Sequence, residues 1–177
     1  VPLVRANVLG CLSLPVWFIF FSWIAAMVSR RSEYAIVFTL PSFVVGLLLV
    51  VVGVPLVHEA VHGIVALLLG ARPSFGVGAG FAYTTFRESV GRSGYAAVAL
   101  APLIVISIAG IAAVAVWPEH TELILFVVVV NAAGAIGDLW MTWRLRDVPP
   151  NARLYDLADG FAALVPEEAP SQVGAEA

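Results

Sequence analysis

Charge is scarce in this chain. Only 12% of its 177 residues are Asp, Glu, Lys or Arg, while 61% are hydrophobic and the mean hydropathy is +0.99. An average soluble domain carries about a quarter of its residues as charges, so a water-soluble fold of this size is excluded and lipid is the expected solvent. Lysine is absent: all nine basic residues are arginine, and they form no cluster. Without a basic patch there is no electrostatic footprint for nucleic acid, and no nucleic-acid partner is expected. Cysteine is nearly absent as well. Cys11, inside the first apolar run, stands alone, which excludes an intrachain disulfide and a cysteine-based zinc knuckle. Any metal must therefore be held by histidine and carboxylate, and there are only three histidines to choose from.

What is abundant is apolar sequence in long runs. Residues 7–28 are long enough to cross ~30 Å of hydrocarbon at about 1.5 Å per residue, and too long for a signal peptide, with no cleavage site. A polar hinge at 29–33 carries Arg30 and Arg31. Residues 35–69 are apolar apart from a polar cluster at 58–62, a length that predicts a tilt, a kink or an extension beyond the membrane. Pro55 lacks a backbone donor and crowds the turn before it, which favours a bend just ahead of that cluster.

Between 71 and 86 the period changes. Phe75, Val77, Ala79, Phe81 and Tyr83 alternate with Gly76, Gly78, Gly80 and Ala82, a period of two that predicts a short β-hairpin or a re-entrant loop. Residues 94–116, with Pro102, form a third span. Trp117-Pro118-Glu119-His120 makes a tight loop into a fourth span from about 122 to 143. Beyond Arg146 the chain turns polar, Pro149-Pro150 break it, and acidic residues gather at Asp156, Asp159, Glu167, Glu168 and Glu176. The expected architecture is an all-α membrane protein of about four transmembrane helices with the hairpin or loop between the second and third. A single transmembrane domain covers 1–146 and a polar, acidic, flexible tail 147–177, its composition from about Val165 being that of disorder. Arg5, Arg72, Arg87, Arg92, Arg144, Arg146 and Arg153 fall on one side against Arg30 and Arg31 on the other, which places both termini in the cytoplasm.

Four ionisable side chains lie within the spans where they cannot snorkel out: His58, Glu59, His62 and Asp138. A carboxylate at mid-span costs roughly 2.5 to 3.5 kcal/mol on insertion scales, so such groups need pairing, a metal or a wet cavity. His58-Glu59-Ala60-Val61-His62 is an HExxH pattern. Residues four apart on a helix are rotated by only ~40° and rise ~6 Å, so both imidazoles can converge on one ion. Glu59 projects from the same turn to one side, within reach of a water at that ion. The alternative for the histidines is a buried pair bonded to helix carbonyls.

A third ligand is needed, and Asp138 is the carboxylate of the fourth span that lies within apolar sequence. His62 and Asp138 stand at similar distances from the same-side ends of helices that run in the same direction, so the three groups share one depth. Gly134 and Gly137 are expected to let those helices approach closely. Asp138 can otherwise serve as an interhelical hydrogen-bond partner or proton relay. Asn131, nearly two turns before it, is a candidate contact for a substrate carbonyl or oxyanion, or else a tie between two helices. Ser107, Trp140 and Thr142 read as interface residues, and His120 lies on the far side of the membrane.

The stretch His58-Glu59-Ala60-Val61-His62-Gly63 on a membrane helix, followed by Asn131-Ala132-Ala133-Gly134-Ala135-Ile136-Gly137-Asp138 on a later one, resembles the "putative zincin peptidase" family of small membrane proteins, related to site-2 proteases. The resemblance covers roughly residues 45 to 145. In site-2 proteases an HExxH helix and a later helix with an Asn-rich motif ending in Asp-Gly supply the zinc site, and cleavage occurs within the membrane. It implies His58, His62 and Asp138 as ligands of one zinc ion and Glu59 as catalytic base. The sequence departs from that pattern in three ways: prolines are missing around Asn131, glycine precedes rather than follows Asp138, and no PDZ or CBS domain is legible.

The reading is an intramembrane zinc metallopeptidase of a prokaryotic cell membrane, its site near the cytoplasmic side and its substrate a membrane protein or peptide. Residues 75–83 offer either an edge strand for an unwound substrate or a plug for the cavity. Two rivals stand beside it. A zinc-binding, non-proteolytic scaffold has no need of Glu59, and an ion or proton transporter usually shows repeats and ionisable groups at several depths. The donor set also accommodates iron, cobalt or manganese.

Overall fold

Residues 3–29, 40–78, 81–157 and 160–165 are described by the structure, a computed structural model. Four helical stretches are long and apolar enough to cross a membrane: Arg5–Ser29, Phe43–Leu68, Arg92–Val116 and Pro118–Asp147. The first is α1 (Leu3–Ser29). The second comprises α2 (Leu40–Leu48), a π-helical turn at Leu49–Gly53 and α3 (Val54–Leu68). The bend expected at Pro55 takes the form of this wide turn. Proline has no N–H for the carbonyl of Val51 and its ring crowds it, and the chain responds by bonding Val54 N–H to the carbonyl of Leu49. Of the hinge expected at 29–33, Ser29 ends α1 and the rest, with the start of the second apolar run, lies outside the described residues.

α3 stops at a left-handed glycine. Gly70 has φ +81°, its N–H donates to Leu67 O at 2.9 Å, and Ala71 N–H donates to Ala66 O at 2.9 Å, a pair of bonds that satisfies the last carbonyls of the helix. The chain then forms the expected hairpin, β1 (Pro73–Gly78) antiparallel to β2 (Phe81–Phe86), with Gly76 opposite Tyr83. A Cβ on Gly76 would collide with the Tyr83 ring, so the glycine alternation makes room for the tyrosine to lie across the strand.

After β3 (Val90–Gly91), α4 (Arg92–Val116) forms the third of these long apolar stretches. A 3-10 turn at Pro118–His120 leads into α5 (Thr121–Gly134) and α6 (Ile136–Arg144). The sequence predicts one helix here. The structure instead interrupts it at Ala135 (ψ 6°), flanked by two glycines that hold a helix weakly. α1 packs on α5, and α4 packs on both α3 and α5.

Residues 153–164, assigned by composition to the tail, form two strands: β4 (Arg153–Leu157) between β3 and β5 (Gly160–Leu164), all antiparallel. Val90 pairs with Leu154, which is fully buried. Arg153 is tied to Ser89 through both its guanidinium and the Ser89 carbonyl, and Arg92 donates to Val148 O at 3.0 Å. These partners are sixty residues away in sequence or close to it, so nothing local announces the strands.

Two buried apolar clusters result. One joins α3, β2, β3, α4 and β4 around Ala66, Phe86, Tyr95, Val98 and Leu154, at the end of the bundle that carries the strands. The other joins α1, α4 and α5 around Phe21, Val114, Leu125 and Val128. The ionisable groups lie between them.

Candidate metal centre

His58 and His62, one turn apart on α3, present their rings edge to face with centroids 4.9 Å apart. Asp138, in the first turn of α6, points one carboxylate oxygen between them: Oδ2 lies 3.1 Å from His58 Nε2 and 3.6 Å from His62 Nε2. The potential ligand atoms of the three residues all fall within 4.8 Å of one another. His62 and Asp138 are buried at 9% and 8% exposure, so water contributes little to holding them. α3 and α6 thus bring the three groups, 80 residues apart in sequence between His58 and Asp138, within reach of one another.

The opposite ring nitrogens are each held. His62 Nδ1 lies 2.8 Å from the carbonyl of Val98, and a carbonyl can only accept, so Nδ1 carries the proton. His58 Nδ1 lies 2.9 Å from Asn131 Oδ1, while Asn131 Nδ2 donates to Pro102 O at 3.2 Å. The second bond fixes the amide with its oxygen toward His58, so that Nδ1 also carries a proton. Neutral imidazoles protonated at Nδ1 have bare Nε2 atoms. Both Nε2 atoms face Asp138 Oδ2, where either a proton, as in the 3.1 Å hydrogen bond between His58 and Asp138, or a cation held by all three groups joins them. The donor set suits zinc: two imidazoles and one carboxylate, each imidazole oriented through its other nitrogen, is the chemistry of a three-ligand centre with a position open for water.

A cavity of about 780 Å³ opens onto these atoms. Glu59 lines it beside the ligands, with Tyr83, Thr84, Tyr95 and Asp156 around it. Among the described residues the Glu59 carboxylate makes no hydrogen bond, which leaves it available. Thr84 Oγ1 donates to the backbone carbonyl of Glu59 at 3.0 Å, and a Cβ on Gly63 would meet the Phe75 ring at 2.5 Å. The glycine after the HExxH segment thus lets the hairpin lie directly on the helix that carries it.

The structure bears on two further readings of the sequence, one of which needs correcting. Asn131 is only 1% exposed, and both ends of its amide are engaged with His58 and Pro102. It joins α5 to α3 and α4, in line with the helix tie that the sequence offered as the alternative to a substrate contact. Gly134 and Gly137 do not bring helices together: a Cβ on either meets nothing within 4 Å, and both line the cavity. The close approaches are made by Gly10, where a Cβ would lie 2.7 Å from Ala133 O, and by Gly110, where it would collide with Val128 Cγ1. His120 is exposed in the turn beyond the far end of α4, in keeping with its rejection as a ligand.

A model of the "putative zincin peptidase" family matches residues 51–153, more than half of the chain. The chain belongs to that family. The matched stretch holds both histidines, Glu59, the hairpin, α4 and Asp138, and leaves α1 outside. No curated protein and no solved structure matches the chain.

Sequence reasoning missed one group in this cavity. Asp156, on β4, accepts a hydrogen bond from Tyr95 Oη at 2.7 Å. Burial pushes its carboxyl up to about 6, against the opposing pull of that hydrogen bond, and the nearby Asp138 and Glu59 add to the rise. In the sequence it is one acidic residue among several near the C-terminal end, and only the pairing of β4 with β3 brings it to the cavity.

Proposed function

We propose that this zincin-family chain is an intramembrane metallopeptidase that hydrolyses peptide bonds of membrane-associated substrates, with one zinc ion held by His58, His62 and Asp138 and with Glu59 as general base. The observation that carries the reading is the convergence of the Nε2 atoms of His58 and His62 on Asp138 Oδ2 beside a cavity that also contains Glu59. Zinc bound by these ligands supplies Lewis acidity, lowering the pKa of water and polarising a carbonyl.

The chain's own residues do the rest. Val98 and Asn131 hold the imidazoles in the tautomer that presents Nε2. Glu59, its carboxylate unengaged, takes a proton from water in the cavity and returns it to the leaving amine. The helices around the cavity restrict water to that space. β1 and β2, fastened to α3 through Thr84 and Phe75, stand where an extended substrate segment can lie along a strand edge. Substrate must be extended there, because a helical peptide bond is shielded by its own turn. The excess of arginines in the segments that flank the strands, Arg72, Arg87, Arg92, Arg144, Arg146 and Arg153 against Arg30 and Arg31, supports a site near the cytoplasmic face with both termini cytoplasmic.

The test is metal content together with cleavage. Purified full-length chain, reconstituted with a mixture of single-span membrane segments, is expected to carry one zinc and to yield fragments by mass spectrometry. Glu59→Gln is expected to keep the zinc and lose about 10²- to 10⁴-fold in cleavage rate. Zinc retained by both forms with no cleavage by either contradicts the peptidase reading and favours the scaffold.

A further inference from the structure

Both ligand histidines belong to α3, yet the groups that orient them trace back to one residue of α4. Pro102 is fully buried and has no N–H. In an uninterrupted helix the amide at position 102 donates to the carbonyl of residue 98. Here that donor does not exist, and the proline ring crowds the same carbonyl away from the helix axis. The carbonyl of Val98 is the one that accepts His62 Nδ1–H at 2.8 Å. The carbonyl of Pro102 accepts Asn131 Nδ2 at 3.2 Å, and the amide so held turns its oxygen to His58 Nδ1 at 2.9 Å.

We infer that Pro102 is the positioning residue of the metal centre. By withholding one main-chain donor it releases the Val98 carbonyl to His62, and through its own carbonyl and Asn131 it sets His58. Each imidazole is thereby held through an Nδ1–H hydrogen bond with its Nε2 facing Asp138. Proline inside a buried membrane helix ordinarily costs a hydrogen bond. In α4 the released acceptor is put to use by the neighbouring helix. The inference rests on the proposed metal-binding role of the two histidines, but it makes a separate claim about where their protons sit before any metal arrives.

The experiment uses full-length protein labelled with ¹⁵N-histidine, metal-free, in lipid nanodiscs, with His120→Gln to clear the third signal. Wild type is expected to show a hydrogen-bonded Nδ1–H on both His58 and His62. Pro102→Ala restores the N–H at 102 and is expected to move His62 toward the Nε2–H form. Zinc affinity, measured by competition with a chelator, is expected to fall about 10- to 100-fold, as for other groups that orient a metal-bound imidazole. The melting temperature of the metal-free variant is expected to hold or rise, because α4 gains a helical bond. A merely structural proline predicts a lower melting temperature with unchanged tautomers.

Asn131→Ala is expected to disturb His58 while leaving His62 as in wild type, and it keeps the inference testable should Pro102→Ala fail to fold. Nε2–H tautomers in wild type, or wild-type tautomers and zinc affinity in Pro102→Ala, overturn it. Nδ1–H tautomers that shift in the variant, in a wild type that binds no zinc, support the orienting role of Pro102 and instead sink the metallopeptidase reading.

Discussion

Asp138 offers one oxygen to two imidazoles, and the outcome of replacing it follows from that geometry. Asp138→Asn keeps the shape but removes the negative charge, leaving two neutral nitrogens and an amide to hold a dication. Zinc retention after dialysis is expected to drop to background, as measured by elemental analysis, whereas Glu59→Gln is expected to retain its zinc. Equal zinc in Asp138→Asn and wild type contradicts the ligand assignment. Asp156 yields a prediction of the opposite sign. Its folded-state pKa is raised to about 6, so the folded chain holds a proton that the unfolded chain has released once pH exceeds about 4. Its contribution is therefore least harmful below pH 4, and stability falls as pH climbs from there through 6. Asp156→Asn keeps an acceptor for Tyr95 and removes the charge. It is expected to stabilise the protein by about 1 to 3 kcal/mol at pH 7.5 and by almost nothing at pH 4, read as a pH-dependent difference in melting temperature. A constant difference across that range contradicts the burial of this carboxyl.

At the scale of elements, what can be read from sequence is whatever the local pattern determines. The four crossings are legible because lipid demands about twenty consecutive apolar residues. The β1–β2 hairpin is legible because alternation of Gly with aromatic and aliphatic residues has a period of two. Pro55 announces a disturbance ahead of His58, though not that the backbone absorbs it as a π turn. β4 and β5 are hidden, since their stability comes from Leu154 packing under β3 and from Arg153 reaching Ser89. The interruption at Ala135 is hidden by the unbroken hydropathy around it.

The site divides along the same line. HExxH is local and names His58, Glu59 and His62, whereas Asp138 requires a topological argument, and Val98, Pro102 and Asp156 depend on contacts across helices. The α4–α5 contact shows why helix meeting points also escape a sequence reading. Glycines at 134 and 137 look like close-approach residues but border the cavity, while Gly110, unmarked in sequence, lies against the buried Val128. Gly110→Leu is expected to destabilise the bundle by about 1 to 3 kcal/mol through overpacking, seen as a lower melting temperature in detergent. Gly134→Ala, which meets open space, is expected to leave it nearly unchanged. A reversed ranking contradicts the close approach of α4 and α5 at Gly110.

The whole molecule is a bundle whose outward faces are apolar, with Leu12, Ile19, Leu40, Val51, Leu68 and Ile108 all more than 60% exposed. Such a surface is compatible with a lipid environment, and His58, His62 and Asp138 gather inside the bundle. Strand-forming segments close one end of the bundle and carry Tyr83, Thr84 and Asp156 to the cavity rim. Because His58, His62 and Asp138 come from two different apolar helical stretches, an ion bound between them would join α3 to α6. Zinc at 100 times its dissociation constant is expected to raise stability by about 2.7 kcal/mol, and a chelator is expected to reverse the accompanying rise in melting temperature.

The most direct test of the account is X-ray absorption at the zinc edge of the purified, zinc-loaded full chain. The prediction is a first shell of nitrogen and oxygen only, with two imidazoles at about 2.0 to 2.1 Å and a carboxylate oxygen at about 2.0 to 2.2 Å, and with one imidazole lost in His62→Ala. A shell containing sulfur, a shell with no imidazole scattering, or a spectrum unaltered by His62→Ala would contradict it.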